Sequence, residues 1–440
     1  MESGKVYIVG AGPGDPGLIA VKAMEKLKQA DVVVYDRLIN NDLLSYCKKD
    51  CEKIFVGKES GYHPIEQENI TNVLICKSKL GFNVVRLKGG NPFVFGRGSE
   101  EAAALKSAGI EYEIIPGITS GLSAPIYSGI PITQRGLITQ CVLITAHECP
   151  GKPETQVDWE KLAKLKNTSL IIYMGASRIE RISSELIKHG MDPAMPAAII
   201  ENGTLPKQRT ITARLDSIAE EYKKLKLCPP VIIMISPTVL LRDEVSWYEK
   251  KPLFNKRIAL FGGWEKSNEL NNAIYDFGGE LIILPVKPYS ENILETISSS
   301  GRGKNNYKLP DFNYGFGNLL QYKPNSYNLE AEIYQNLIEE ISEQAATFNH
   351  ETEIELIKNI KENGADVFMF TSNEAVQYFF NIYGFETAVM LLENSTSLAL
   401  DQIAASELIN KGLTKVKFIY DNTVKGIYSS ICNSFNLITE

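Results

Sequence analysis

"NVVRLKGGNPFVFGRG", residues 83–98, carries the reading on which the fold class turns. A β-branched run, "NVVRL", passes straight into a segment with four glycines and two basic residues in the eleven positions 88–98. Such a run reads as a buried strand, and glycines at its end let a ligand lie close to the backbone. A phosphate cradle needs the order G-x-x-x-x-G-K-[ST]. Here Lys88 precedes the glycines and no Ser or Thr follows in the metal-binding place, so a nucleoside triphosphate is disfavoured.

The same unit recurs outward from this stretch. "KVYIVG", "DVVVYD", "YEIIPG", "CVLITAH", "SLIIYMG", "AAIIENG" and "PVIIMIS" are further short apolar runs that end in glycine or a polar residue, and "LIAVKAMEKLKQA" between the first two has helical spacing. Strands alternating with helices predict an α/β protein whose strand ends form the ligand crevice. In "VGAGPGDPG", residues 9–17, Gly10 and Gly12 begin a dinucleotide fingerprint, but Asp15 stands where its third glycine belongs. Alone, that turn reads equally well as a strand-to-helix connection with no ligand.

Composition narrows the classes. With 440 residues, 44% hydrophobic and 22% charged, the chain has material for two or three cored domains. The longest apolar runs, such as "VIIMI" at 231–235, fall far short of the roughly 20 residues that cross a bilayer. The start "MESGKVYIVG" lacks a signal-peptide pattern, which predicts a cytoplasmic protein without a membrane segment. Seven cysteines without a C-x-x-C pair and four dispersed histidines give no metal site. Residues 1–250 hold 31 Lys and Arg against 29 Asp and Glu, and residues 251–440 hold 15 against 24, so net charges of +2 and −9 make up the −7 of the chain. No basic cluster interleaved with aromatics argues for nucleic acid. At "WYEKKPLFNKR", 247–257, the pattern yields to charge and proline before a new strand, "IALFGG"; the main domain boundary is expected there.

In order and spacing, "VYIVGAGPGDPGL", "ADVVVYDRL", "VGKESGYH", "VVRLKGGNPFVFGRGSEE", "IPGITSGLSAPIYSGIPIT", "YMG", "IIENGT" and "VSW" resemble the uroporphyrinogen-III C-methyltransferases of the tetrapyrrole methylase superfamily. The resemblance implies a two-lobed methylase fold over residues 1–248, usually a homodimer. Its cofactor is S-adenosyl-L-methionine, and its reaction is double C-methylation of uroporphyrinogen III to precorrin-2, on the way to sirohaem or cobalamin. Pro13, Gly89, Gly90, Asn91, Val94, Thr119, Ser120, Met174 and Gly203 are the residues it places along the cofactor. A compact zwitterion with a sulfonium suits shaped apolar walls and directed backbone groups. Without the family positions Met174 reads as core packing, and Thr119 and Ser120 as helix caps.

The tetrapyrrole carries many carboxylates, so Arg37, Arg97 and Arg135 are the implied substrate contacts, with Lys58 and Lys88 next; each otherwise reads as a solvated charge or local ion pair. Asp36 is the candidate base or cation stabiliser and Lys58 a candidate proton donor, while the plain reading of Asp36 is a helix cap or an ion pair with Arg37. Three departures from the family pattern stand out: Asn91 for a usual aspartate, Gln134 and Gly136 around Arg135, and "TAHE" at 145–148. Loss of a carboxylate at Asn91 predicts weaker cofactor binding, and Asn91→Asp a gain.

Residues 255–440 are similar, at "KRIALFGGWEKSNEL", "ADVFMFTSNEAVQYFFNIYG" and "LDQIAASELINKGLTKVKFIYDNTVKGIYSSI", to uroporphyrinogen-III synthase. This region is expected to be a smaller, divergent α/β domain with an irregular insert near 298–328 and without full synthase activity. Thr371, Ser372 and Thr423 are the surviving candidate contacts, each equally readable as a cap. Three alternatives remain: a fully bifunctional enzyme, another tetrapyrrole methylase (disfavoured by "YDRL", "RLKGG" and "FGRG"), and a non-catalytic binding module.

Overall fold

A computed structural model describes residues 3–57, 67–146, 156–284, 286 and 356–437. The expected insert near 298–328, "HE" of "TAHE" and Lys58 lie outside them. Contacts divide the chain into two units between Tyr248 and Glu249.

The first unit holds two five-stranded sheets. One is wholly parallel, in the order β3-β2-β4-β1-β5, with β1 at Val6–Gly10, β2 at Val32–Tyr35, β3 at Glu52–Phe55, β4 at Val84–Lys88 and β5 at Tyr112–Ile115. Its central strands are buried along their whole length, as the continuous apolar runs require. Val6, Ile8, Val34 and Val84 pack with Leu74 and Leu105 of the helices Gln67–Lys79 and Gly98–Ser107. Each such buried aliphatic side chain contributes about 1.5–3 kcal/mol.

The second sheet has the order β6-β7-β10-β8-β9, from β6 (Gln140–Thr145), β7 (Thr168–Tyr173), β8 (Pro196–Glu201), β9 (Arg209–Arg214) and β10 (Val231–Ile235). Only β6 and β7 run parallel; β10 is antiparallel to both β7 and β8, and β9 is antiparallel to β8. A run of alternating parallel strands therefore does not describe this lobe. The helix Ser120–Tyr127 leaves the first sheet and packs Ala124 against Ile171, Ala198, Ile200 and Met234 of the second.

In the second unit, β11 (Arg257–Phe261), β12 (Glu280–Leu284), β13 (Val367–Phe370), β14 (Thr396–Ala399) and β15 (Val416–Phe418) form a parallel sheet ordered β12-β11-β13-β14-β15. Counted from β11, this is the 2-1-3-4-5 doubly wound order. Phe261, Phe368, Phe370 and Phe379 fill one side of it, with the Phe379 ring centroid 5.0–5.4 Å from the other three. That edge-to-face packing suits the aromatic quadrupole.

Candidate functional site

The carboxyl ends of β1, β4 and β5 meet backbone to backbone. Gly12 and Gly90 exchange hydrogen bonds, Gly12 N–H to Gly90 O at 3.3 Å and Gly90 N–H to Gly12 O at 2.7 Å. A Cβ on Gly10 would lie 2.4 Å from Gly117 N, and one on Gly117 2.3 Å from Gly90 O, so neither position admits a side chain. Asn91 finishes the join. Its Nδ2 donates to Gly117 O at 2.9 Å, and its Oδ1 accepts from Phe93 N–H at 2.9 Å. The amide is used at both ends, as donor and as acceptor. An aspartate could not make the first of these bonds, which reverses the expectation that Asn91→Asp strengthens the site.

The loop after β4 then reaches the second lobe. Phe95 meets the ring of Tyr173 edge-on at 5.0 Å, and Val94 packs against the cluster around Ala124 and Ile171. Tyr173 OH lies 2.8 Å from Thr119 Oγ1 and accepts from Gly121 N–H at 3.0 Å. Burial raises the Tyr173 phenol above its ordinary range. Thr119 occupies the N-cap position but makes no side-chain cap, since its hydroxyl goes to Tyr173; Ser120 is the first helical residue. Met174, next along, has φ +54° and is 48% exposed, which excludes the core-packing reading. Gly203 follows β8, where a Cβ would lie 2.4 Å from that of Ala124. Pro13, Gly89, Gly90, Asn91, Val94, Thr119, Ser120, Met174 and Gly203 thus sit on the ends of β1, β4, β7 and β8 and on the start of one helix.

Asp36 follows β2, which neighbours β4 in the sheet. Its Oδ1 accepts from Leu38 N–H at 3.2 Å, and its Oδ2 stands 3.5 Å from Arg86 Nη2. The ion-pair partner is therefore Arg86 rather than Arg37, which is exposed. Arg86 and Lys88 lie in a central strand at 2% and 5% exposure, where charges need partners. Glu101 supplies one: its Oε1 accepts from Lys88 Nζ at 2.9 Å, Arg86 Nε at 3.3 Å and Gln67 Nε2 at 2.7 Å. Burial, together with the Arg86 charge beside it, pulls the Lys88 ammonium below its usual range. Burial would raise the Glu101 carboxyl, but the two cations outweigh it and hold it low. Lys88 is accordingly a core group, not the surface cation for substrate that its neighbours suggested.

Of the expected substrate arginines, Arg97 (φ +58°) pairs with Glu100 through Nε at 3.0 Å and Nη2 at 2.7 Å. Both side chains are over half exposed, so the pair is weak and exchangeable. Arg135 is exposed in a tight turn closed by Ile138 N–H to Gln134 O at 2.8 Å. Sequence reasoning missed Tyr173, Arg86 and Glu101 as members of this neighbourhood. Two cations inside the apolar run "VVRLK" were the available sign of a buried carboxylate.

In the second unit the candidate hydroxyls have local employment. Thr371 Oγ1 donates to Phe261 O at 3.2 Å, Ser372 Oγ accepts from Ala375 N–H at 3.4 Å, and Thr423 Oγ1 accepts from Gly426 N–H at 3.1 Å. The last two are helix N-caps. Among the described residues there is no group of three or more His, Cys, Asp or Glu arranged to hold a metal ion, and no helix long and apolar enough to cross a membrane.

The family model for tetrapyrrole (corrin/porphyrin) methylases matches residues 5–219. Those residues form a tetrapyrrole methylase domain. A uroporphyrinogen-III C-methyltransferase of Bacillus subtilis is 41% identical over 304 residues, covering 68% of this chain and 62% of that protein. A sirohaem synthase of Escherichia coli is 44% identical over 245 residues, covering 56% of this chain and 52% of its own. Among solved structures, uroporphyrin III C-methyl transferase from Thermus thermophilus is 38% identical at a TM-score of 0.47, over 54% of this chain and 100% of that one. The chain spans roughly half to three-fifths of the curated relatives it matches. With 304 aligned residues against the 215 of the matched stretch 5–219, the Bacillus match runs past the methylase domain.

Proposed function

We propose that the methylase domain is an S-adenosylmethionine-dependent C-methyltransferase that converts uroporphyrinogen III to precorrin-2. The observation that carries this reading is the junction of β1, β4 and β5, where Gly10, Gly90 and Gly117 approach so closely that the crevice wall is bare backbone. A wall of that kind fits a compact zwitterion, which is recognised by directed amides and carbonyls rather than by a phosphate cradle. Pro13, Gly89, Gly90, Asn91, Val94, Thr119, Ser120, Met174 and Gly203 would hold the cofactor, which supplies a methyl group already activated on a sulfonium.

The chain's own task is then placement. Met174, held outward by its left-handed backbone, and the Phe95–Tyr173 contact give apolar surface at the crevice. Keeping the two reactants aligned and dry accounts for most of the acceleration that such a transfer needs. Asp36, fixed between Leu38 N–H and Arg86, serves as base or cation stabiliser for the methylated ring, which must lose a proton. Lys58 is the proposed proton donor. Arg37, Arg97 and Arg135 pair with ring carboxylates, and for Arg97 the substrate displaces Glu100 from an exposed pair. Ile126, Val245 and Trp247, at 51%, 49% and 43% exposure, supply an apolar face for the proposed homodimer, which light scattering would test.

Calorimetric titration with S-adenosylmethionine, followed by turnover of uroporphyrinogen III with methyl-labelled cofactor, tests the reading. Label in the tetrapyrrole is the expected result. Binding without transfer would leave a binding module, and no binding would overturn the assignment.

A further inference from the structure

We propose that Tyr127 and Thr204 are positioning residues for the cofactor, acting at a distance through Asp15; the proposal rests on the methyltransferase reading above. The turn after β1 carries Pro13 and Gly14 and then Asp15, whose Oδ1 accepts from Gly17 N–H at 2.8 Å and so caps the short helix that follows. Its other oxygen leaves the turn. Tyr127 OH donates to Asp15 Oδ2 at 2.7 Å, and Asp15 N–H donates to Thr204 Oγ1 at 3.1 Å. These partners stand 112 and 189 residues away in sequence, on the helix between the lobes and on the loop after β8.

Both partners are themselves held. Thr204 is fully buried with φ +73°, a strained backbone for a β-branched residue. Its N–H donates to Gln208 Oε1 at 2.8 Å and its carbonyl accepts from Tyr248 OH at 3.2 Å. Tyr127, 9% exposed, packs against the rings of Trp247 and Tyr248 with centroids at 5.0 and 4.7 Å. The lobes touch here without slack, since a Cβ on Gly14 would lie 2.9 Å from Thr204 Oγ1 and 3.0 Å from Leu205 Cδ2.

The consequence is geometric. Pro13 belongs to the first lobe and Gly203 to the second, and both are proposed cofactor contacts. Asp15 and Thr204, two residues and one residue further along, are joined directly. Two hydrogen bonds, one of them to a carboxylate, therefore set the spacing of the crevice walls without either buried partner needing to reach the ligand. Strained backbone at Thr204 is retained where the walls must meet.

Tyr127→Phe removes one hydroxyl and keeps the ring stack. The expected result, by calorimetry on the full chain, is binding of S-adenosylmethionine weakened roughly tenfold, or about 1.4 kcal/mol. Stoichiometry stays at the wild-type value, and kcat at saturating cofactor and KM for uroporphyrinogen III are unchanged. Thr204→Val, which deletes the other acceptor at nearly constant shape, weakens binding in the same way and serves if Tyr127→Phe does not fold. Asp15→Asn has one oxygen where the carboxylate uses two; with that oxygen kept on Gly17 N–H, its amide N–H donates to the Tyr127 hydroxyl, which can accept, and binding stays within about threefold of wild type. An unchanged dissociation constant in both deletion variants overturns the proposal, as does lowered stoichiometry at constant affinity, the mark of mere misfolding. Failure of the wild-type chain to bind the cofactor overturns the methyltransferase reading and this inference with it.

Discussion

Each unit contains a five-stranded parallel sheet, and the two treat their strand ends in opposite ways. At the ends of β1, β4 and β5, glycine backbones pack against one another, Asn91 ties the loops together, and the second lobe closes over them. At the corresponding place in the second unit, the space beside Gly262 is filled by Thr371 Oγ1, which would lie 1.8 Å from a Cβ there, and the nearby hydroxyls cap helices or bond the adjacent strand. The sheet topology of an α/β domain offers a crevice at the switch point, but what lines the strand ends decides whether a ligand can lie there. In the first unit the backbone is left bare and shaped. In the second, side-chain hydroxyls are spent on the neighbouring backbone.

The comparison breaks most visibly through glycine. Gly10→Ala forces a methyl group to 2.4 Å from Gly117 N, with backbone on every side that could yield. Loss of roughly 3 kcal/mol or more and no detectable cofactor binding are expected, since overpacking a rigid junction costs at the top of its usual range. Gly263→Ala, in the second unit, meets nothing within 4 Å and should leave the melting curve within error. Equal melting temperatures for the two variants would show that the strand-end junction is not the rigid feature described here.

Asp36→Asn comes next in size. It keeps an acceptor for Leu38 N–H but removes the charge facing Arg86 and the ring, so methyl transfer should fall roughly a hundredfold while cofactor affinity stays near wild type. Asparagine is the better probe than alanine, because both remove the charge opposite Arg86 but only asparagine keeps an oxygen for Leu38 N–H and so holds the turn after β2 in place. A parallel loss of affinity and rate would make Asp36 a structural counter-ion only.

Most strands of the first unit were legible because "VVVY", "LIIY" and "VIIMI" are continuous apolar runs of strand length. The exceptions, β3 in "EKIF" and β9 in "RTITAR", are edge strands with exposed positions, and an edge needs no such run. The antiparallel turn of the second sheet was illegible for a related reason: periodicity reports burial, not direction. Charges misled more than apolar residues did. Lys88 reads as a ligand-facing cation until Glu101 is seen beneath it, and Asp36 pairs with a residue 50 positions away rather than with its neighbour. No spacing rule announces Asp15–Tyr127 or Thr119–Tyr173, because a cross-lobe bond is fixed by packing and not by local pattern.

Asn91 gives a smaller and more discriminating test. A carboxylate at this position keeps the acceptor for Phe93 N–H but turns an oxygen toward Gly117 O, so Asn91→Asp should weaken cofactor binding by about 1–2 kcal/mol. Attraction between the new charge and a sulfonium acts in the other direction, by about 1 kcal/mol in a partly solvated site. Calorimetry with S-adenosylmethionine and with the product S-adenosylhomocysteine, which lacks the sulfonium charge, separates the two, since only the first ligand gains from attraction to a sulfonium. Tighter binding of both ligands would mean that the loop does not depend on the amide bridge.

The smallest effect is expected in the second unit. Thr423 Oγ1 caps the helix Val424–Ser434 through Gly426 N–H, so Thr423→Ala should cost about 1 kcal/mol of that unit's stability, the usual worth of such a cap. It should change neither cofactor binding nor methyl transfer. Given hydroxymethylbilane, the full chain and the Thr423→Ala variant should both yield only the type I ring that forms spontaneously, because the hydroxyls proposed as synthase contacts are spent on the backbone and the region carries a net charge of −9, by the 15 to 24 count above, which repels a polycarboxylate. Excess type III from the full chain, reduced in the variant, would make Thr423 a ligand contact as well as a cap, and would place a second working crevice on a sheet whose strand ends are closed by side chains.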